Sequence, residues 1–89
     1  MVDVHYFAAA RAAAGISSER LEPADVPDTL GQLLELLAQR HSGTTESGLG
    51  LKEIFPRCSF LLDGAGGADA SSSLQAVERV DILPPFAGG

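Results

Sequence analysis

The chain is short of several things, and each shortage narrows what it can do. Among 89 residues there is one cysteine, Cys58, and no tryptophan. A single thiol rules out an intrachain disulfide and fits a reducing, cytoplasmic setting. The two histidines, His5 and His41, and the lone cysteine have no metal-ligand spacing, so no metal site is expected. No apolar run is long enough to span a bilayer. The N-terminus lacks the basic-then-apolar layout of a secretory leader. Lys and Arg number six and do not cluster, so a phosphate backbone finds no electrostatic footprint. Neither a nucleic acid nor a membrane is the expected partner.

What is present is the material of one small domain. Apolar residues make up 45% of the chain, enough for a modest core without staples. The formal net charge is −6. That acidity favours a basic protein partner through electrostatic steering, or serves only solubility.

Residues 2–8, VDVHYFA, alternate apolar and polar, which predicts a strand with Val2, Val4 and Tyr6 toward the core. Phe7 then shares the outward face with Asp3 and His5. Residues 8–15 are alanine-rich and predict at most a turn or two of helix, stopped by Gly15. ISSERLE, residues 16–22, is a second and weaker strand. Pro23 and Pro27 bracket a loop.

The clearest element follows. Thr29 and Gln32 have capping-box spacing, and Leu30, Leu33, Leu34, Leu37 and Ala38 form one apolar stripe. A helix is predicted over 29–41, with Gly43 as its left-handed stop. Residues 51–55 suggest a helical turn before Pro56. CSFLLDG, residues 58–64, reads as a buried strand, and the small polar residues 65–73 as a mobile loop. In the last strand, 77–84, Val80 and Ile82 share one face while Asp81 and Leu83 share the other. The order β-β-α-β-β calls for a two-layer α+β fold, one main helix on one face of a sheet. The domain is expected over 1–83, with a flexible tail over 84–89.

The interior offers little chemistry. Cys58 opens an apolar strand without a cation placed to lower its pKa, and reads as buried and inert. DGAGG, residues 63–67, is glycine-rich, but no helix follows it, so a hairpin loop is a better reading than a phosphate cradle. The end of the sequence is more informative. Pro84-Pro85 stops the strand ladder and stiffens the base of an arm. Phe86 could anchor that arm in an apolar pocket. Gly88-Gly89 has no side chain to clash in a narrow channel. Such an arm suits a terminal carboxylate that must reach an enzyme, be activated by ATP as a mixed anhydride with AMP, and accept sulfur or an amine.

On these residues the chain resembles the MoaD/ThiS family of ubiquitin-like β-grasp sulfur carriers. Within it the chain is most similar to the MoaD type, the small subunit of molybdopterin synthase. The resemblance rests on Phe7-Ala8-Ala9-Ala10-Arg11 after the first strand and, more specifically, on the Pro-Pro-x-x-Gly-Gly end from Pro84 to Gly89. Thiamine-pathway carriers of the ThiS type share the Gly-Gly end but usually lack the di-proline. The resemblance implies a β-grasp fold with a mixed sheet. It implies a thiocarboxylate on Gly89, with Gly88 as its slim neighbour. It implies partner contacts through Phe7, Leu83, Pro84, Pro85, Phe86 and Ala87.

The implied partners are an E1-like adenylating enzyme of the MoeB type, a sulfur donor, and a MoaE-like large subunit in a heterotetramer. No permanent cofactor or metal is implied, because ATP is used by the activating enzyme. The chain is not catalytic alone. Its sulfur would pass to cyclic pyranopterin monophosphate. A carrier for thiamine or cysteine synthesis and a ubiquitin-like protein modifier remain alternatives. The loop over 63–73 and the stretch over 42–50 are longer than that family's pattern.

Overall fold

In the computed structural model, which describes residues 1–85, the N-terminal alternation becomes β1 (Val2–Tyr6). Val2, Val4 and Tyr6 are buried, and Asp3 and His5 take the opposite face. A seven-residue helix, α1 (Ala8–Ala14), follows directly and ends on Gly15 in the left-handed conformation. It reaches the upper limit of what the alanines predict. Ala10 and Ala13 are buried beneath it.

The chain returns as β2 (Ser18–Leu21), antiparallel to β1. A 3-10 turn at Pro23–Asp25 leads to the main helix, α2 (Leu30–Arg40). Its start is the predicted capping box. The Thr29 hydroxyl accepts from the Gln32 N–H at 3.3 Å, and the Gln32 side chain accepts from the Thr29 N–H at 3.2 Å. Leu30, Leu33 and Leu37 are fully buried, as the apolar stripe requires. After α2 come a single helical turn, α3 (Leu51–Ile54), and a 3-10 turn at Phe55–Arg57. Two strands, β3 (Ser59–Leu62) and β4 (Arg79–Leu83), complete the sheet.

The sheet order is β2-β1-β4-β3. β1 and β4 lie parallel at the centre, and both flanking pairs are antiparallel. One face is covered by helix and carries the core, in which Val80 and Ile82 meet Val4 and Tyr6 in register. This is the α+β, β-grasp arrangement expected from the sequence.

Two expectations need correction. Gly43 is not a left-handed helix stop, because α2 ends at His41 in extended backbone. Gly43 is instead a point of close approach, where a Cβ would lie 2.6 Å from the Ala13 carbonyl oxygen. Residues 65–73 are also less free than their composition suggests. The Leu30 N–H donates to the Ser72 carbonyl and the Gly31 N–H to the Ala70 carbonyl, each at 2.9 Å. The loop thereby satisfies donors that the first turn of α2 would otherwise leave open. It also explains Gly31, whose Cβ would press on Ala70 at 3.0 Å.

Candidate functional site

The parallel pairing of β1 with β4 determines what stands at the root of the tail. Tyr6 is level with Ile82, and Ser59 is level with Leu83. The next residues along, Phe7 and Leu83, therefore lie side by side on the face away from α2. Phe7 is 39% exposed, although Tyr6 before it is 2% exposed. Its carbonyl accepts from the Ala10 and Arg11 N–H groups, fixing the backbone where strand turns into helix. The turn requires Ala8 at φ +50, a conformation that alanine tolerates poorly. Beyond Leu83, Pro84 is half-buried and Pro85 is exposed. Pro84 has no N–H to extend the ladder, so the paired strand ends there.

The sequence reading placed Phe7, Leu83, Pro84 and Pro85 in one partner surface, and the structure brings these four together. Phe86, Ala87, Gly88 and Gly89, the other residues of that reading, lie outside the described residues. Two further apolar side chains join the patch. Ile16 is 39% exposed and lies two residues before Ser18, the register partner of His5, so it stands at Phe7's end of the sheet. Leu61 is level with Asp81 and half-buried on the same face. Neither was anticipated. Ile16 sits in a weak strand signal beside Gly15, and Leu61 in a run read as uniformly buried.

Behind the patch the same face is polar and internally paired. Asp81 is buried and accepts from Arg79 Nε at 2.8 Å. Asp3 pairs with Arg20 at 2.7 Å, and that guanidinium holds its carboxyl below the ordinary range. The second pair is well exposed, so it orders the surface more than it stabilises the fold.

On the helix side, Glu19 closes the open end of α2. Its carboxylate takes the Tyr6 hydroxyl at 3.2 Å, Arg40 at 2.9 Å, and the His41 ring. Burial, and then the Glu19 charge, push the Tyr6 phenol far above its ordinary pKa, so it stays a donor. Cys58 is half-buried and its Sγ donates to the Ile54 carbonyl at 3.4 Å. Burial raises its pKa to about 11, the opposite of an activated thiol. The glycine-rich turn after Asp63 closes on itself through Leu62 and Ala65 and opens no helix, so it presents no phosphate cradle. Among the described residues, no helix is long and apolar enough to cross a membrane.

Among the described residues the site is therefore a strand end with an apolar collar, and not a cluster of reactive side chains. The sequence profile of the ThiS family matches residues 4–89. The chain belongs to the ThiS family. No curated protein matches it. As a member of the ThiS family it is a ubiquitin-like sulfur carrier, and such carriers work with partner enzymes. Its apolar collar stands where β4 ends at Pro84.

Proposed function

We propose that this ThiS-family chain is the sulfur-carrying small subunit of a molybdopterin synthase. The Gly89 carboxylate attacks the α-phosphorus of ATP in an E1-like adenylating enzyme, and pyrophosphate leaves. A donor supplying sulfur at the hydrosulfide level then attacks the acyl carbon, AMP leaves, and a thiocarboxylate remains on Gly89. The loaded chain docks on a MoaE-like large subunit in a heterotetramer, where the sulfur passes to cyclic pyranopterin monophosphate. The chain contributes position. Gly88 keeps the arm slim, Phe86 is its anchor for an apolar pocket of the partner, and Pro84-Pro85 stiffen its base.

The observation that carries this reading is the exposed Phe7 beside Leu83, at the point where β4 gives way to Pro84-Pro85. An exposed aromatic on a rigid strand end, held by backbone bonds on the chain's own helix, is a docking anchor that costs little entropy to use. The di-proline favours the MoaD type over the thiamine-pathway ThiS type. The test is an intact mass of the chain after incubation with ATP, the adenylating enzyme and a sulfur donor. A product heavier by the difference between one sulfur and one oxygen, mapped to Gly89, is expected. It should convert cyclic pyranopterin monophosphate to molybdopterin when the large subunit is added. Loading without that conversion would move the chain to another sulfur pathway. Stable conjugates to lysine in place of a thiocarboxylate would make it a protein modifier.

A further inference from the structure

The net charge of −6 is unevenly placed. The loops at the end of the sheet away from the tail hold Glu22, Asp25, Asp28, Asp63, Asp69 and Glu78, all exposed. That end includes the ion-paired Asp3–Arg20 and the start of β4. At the tail end the balance reverses. Arg11 on α1, Lys52 on α3 and Arg57 in the following 3-10 turn outnumber Glu46 and Glu53. Arg20, Arg40 and Arg79 each hold a carboxylate, whereas Arg11 and Arg57 hold none among the described residues. Both are exposed.

Their places follow from the topology. Arg11 lies four residues beyond Phe7, on the helix that springs from the end of β1. Arg57 lies two residues before Ser59, which is level with Leu83. Both arginines, unpaired among the described residues, thus stand at the end of the sheet that holds Phe7 and Leu83, Arg11 just beyond β1 and Arg57 just before β3.

We infer that the surface of the adenylating enzyme that receives the tail is acidic at its rim, with carboxylates that pair with Arg11 and Arg57 around an apolar centre filled by Phe7. This rests on the reading that the tail enters a partner enzyme. It reverses the expectation that overall acidity calls for a basic partner, because that acidity faces away from the docking end. Charge around an apolar anchor sets encounter and orientation more than final affinity. The segregation along the molecule would also turn the tail end toward an acidic mouth during approach.

The test is stopped-flow association of the full chain with the E1-like adenylating enzyme of the same organism, across a salt series. Arg11→Gln and Arg57→Gln each change the net charge by one unit and remove no ion-pair partner among the described residues. Gln75→Glu makes the same change of net charge at the far end. Each arginine variant should slow association several-fold at low salt, and the pair on the order of tenfold, with the difference fading at high salt. Gln75→Glu should leave the rate nearly unchanged. Equal slowing by Gln75→Glu would show that net charge alone acts, and faster association of the arginine variants would mean a basic rim. Either result overturns the inference. Phe7→Ala separates the two levels of the argument. If it weakens the complex while the arginine variants do not, the docking reading stands and the acidic rim does not. If the wild-type chain neither binds nor is adenylated, both are overturned.

Discussion

Phe7 and Tyr6 are adjacent aromatics with opposite surroundings, and their difference predicts how each responds to truncation. Tyr6 is packed in the core and hydrogen-bonded to Glu19. Phe7 is 39% exposed and only partly covered, so Phe7→Ala should cost only about 1 kcal/mol of stability, far less than truncating Tyr6. In contrast, it should weaken partner binding by on the order of tenfold or more, as loss of an aromatic anchor does. Thermal melts alongside a binding titration check both halves, and a large fall in the melting midpoint would make Phe7 a core residue. Cys58 makes the complementary case. With its pKa raised to about 11, almost none of it is thiolate at neutral pH. Its alkylation in the folded chain should be much slower than that of a free thiol, and should keep accelerating with pH beyond the range where free cysteine levels off. Rapid labelling at pH 7 would show an activated thiol that burial does not explain. The strand period alone was enough to set Phe7 and Leu83 outward. It could not reveal Ile16, because that residue's side is decided by pairing with β1 and not by its neighbours.

At the scale of elements, Glu19 joins β2 to the end of α2. Glu19→Ala would leave the Tyr6 hydroxyl, Arg40 and His41 without their shared acceptor. The expected cost is about 1–3 kcal/mol, read as a lower urea midpoint. Glu19→Gln should recover part of it by keeping an acceptor. A loss below 0.5 kcal/mol would mean that solvent replaces the whole network. Ala8 makes the opposite prediction. Its φ of +50 at the β1–α1 junction suits glycine. Ala8→Gly should raise stability by about 1 kcal/mol, and a lower melting midpoint would show that the junction carries no such strain. The elements legible in the sequence were those whose signals are local. The capping box and apolar stripe of α2 and the alternation of β1 lie within a few residues of one another. What was not legible depends on distant partners. Gly43 looked like a helix stop but is small because Ala13 lies against it. Residues 65–73 looked loose because nothing in their composition shows that the first turn of α2 supplies their hydrogen-bond partners.

For the molecule as a whole, folding and carrying are separable. Every buried apolar side chain among the described residues lies between Val2 and Ile82. Among the described residues the core thus ends before the di-proline, and the proposed chemistry is confined to the far end of the arm. One extra residue after Gly89 would add about 3.3–3.6 Å of chain and move the carboxylate by that length. Displacement at phosphorus requires the reacting atoms about 3–3.5 Å apart and aligned. A shift of that size takes the carboxylate out of range while the docking surface still fits. The extended chain should therefore melt at the wild-type temperature and bind the adenylating enzyme normally, yet gain no sulfur. Deleting Gly89 should act in the same way from the other direction. The measurements are a thermal melt, a binding titration and the intact mass after the loading reaction, with the extension confirmed present throughout. Sulfur loading of a chain that keeps its extra residue would remove Gly89 from the proposed role, whereas a lower melting temperature would tie the arm to the fold.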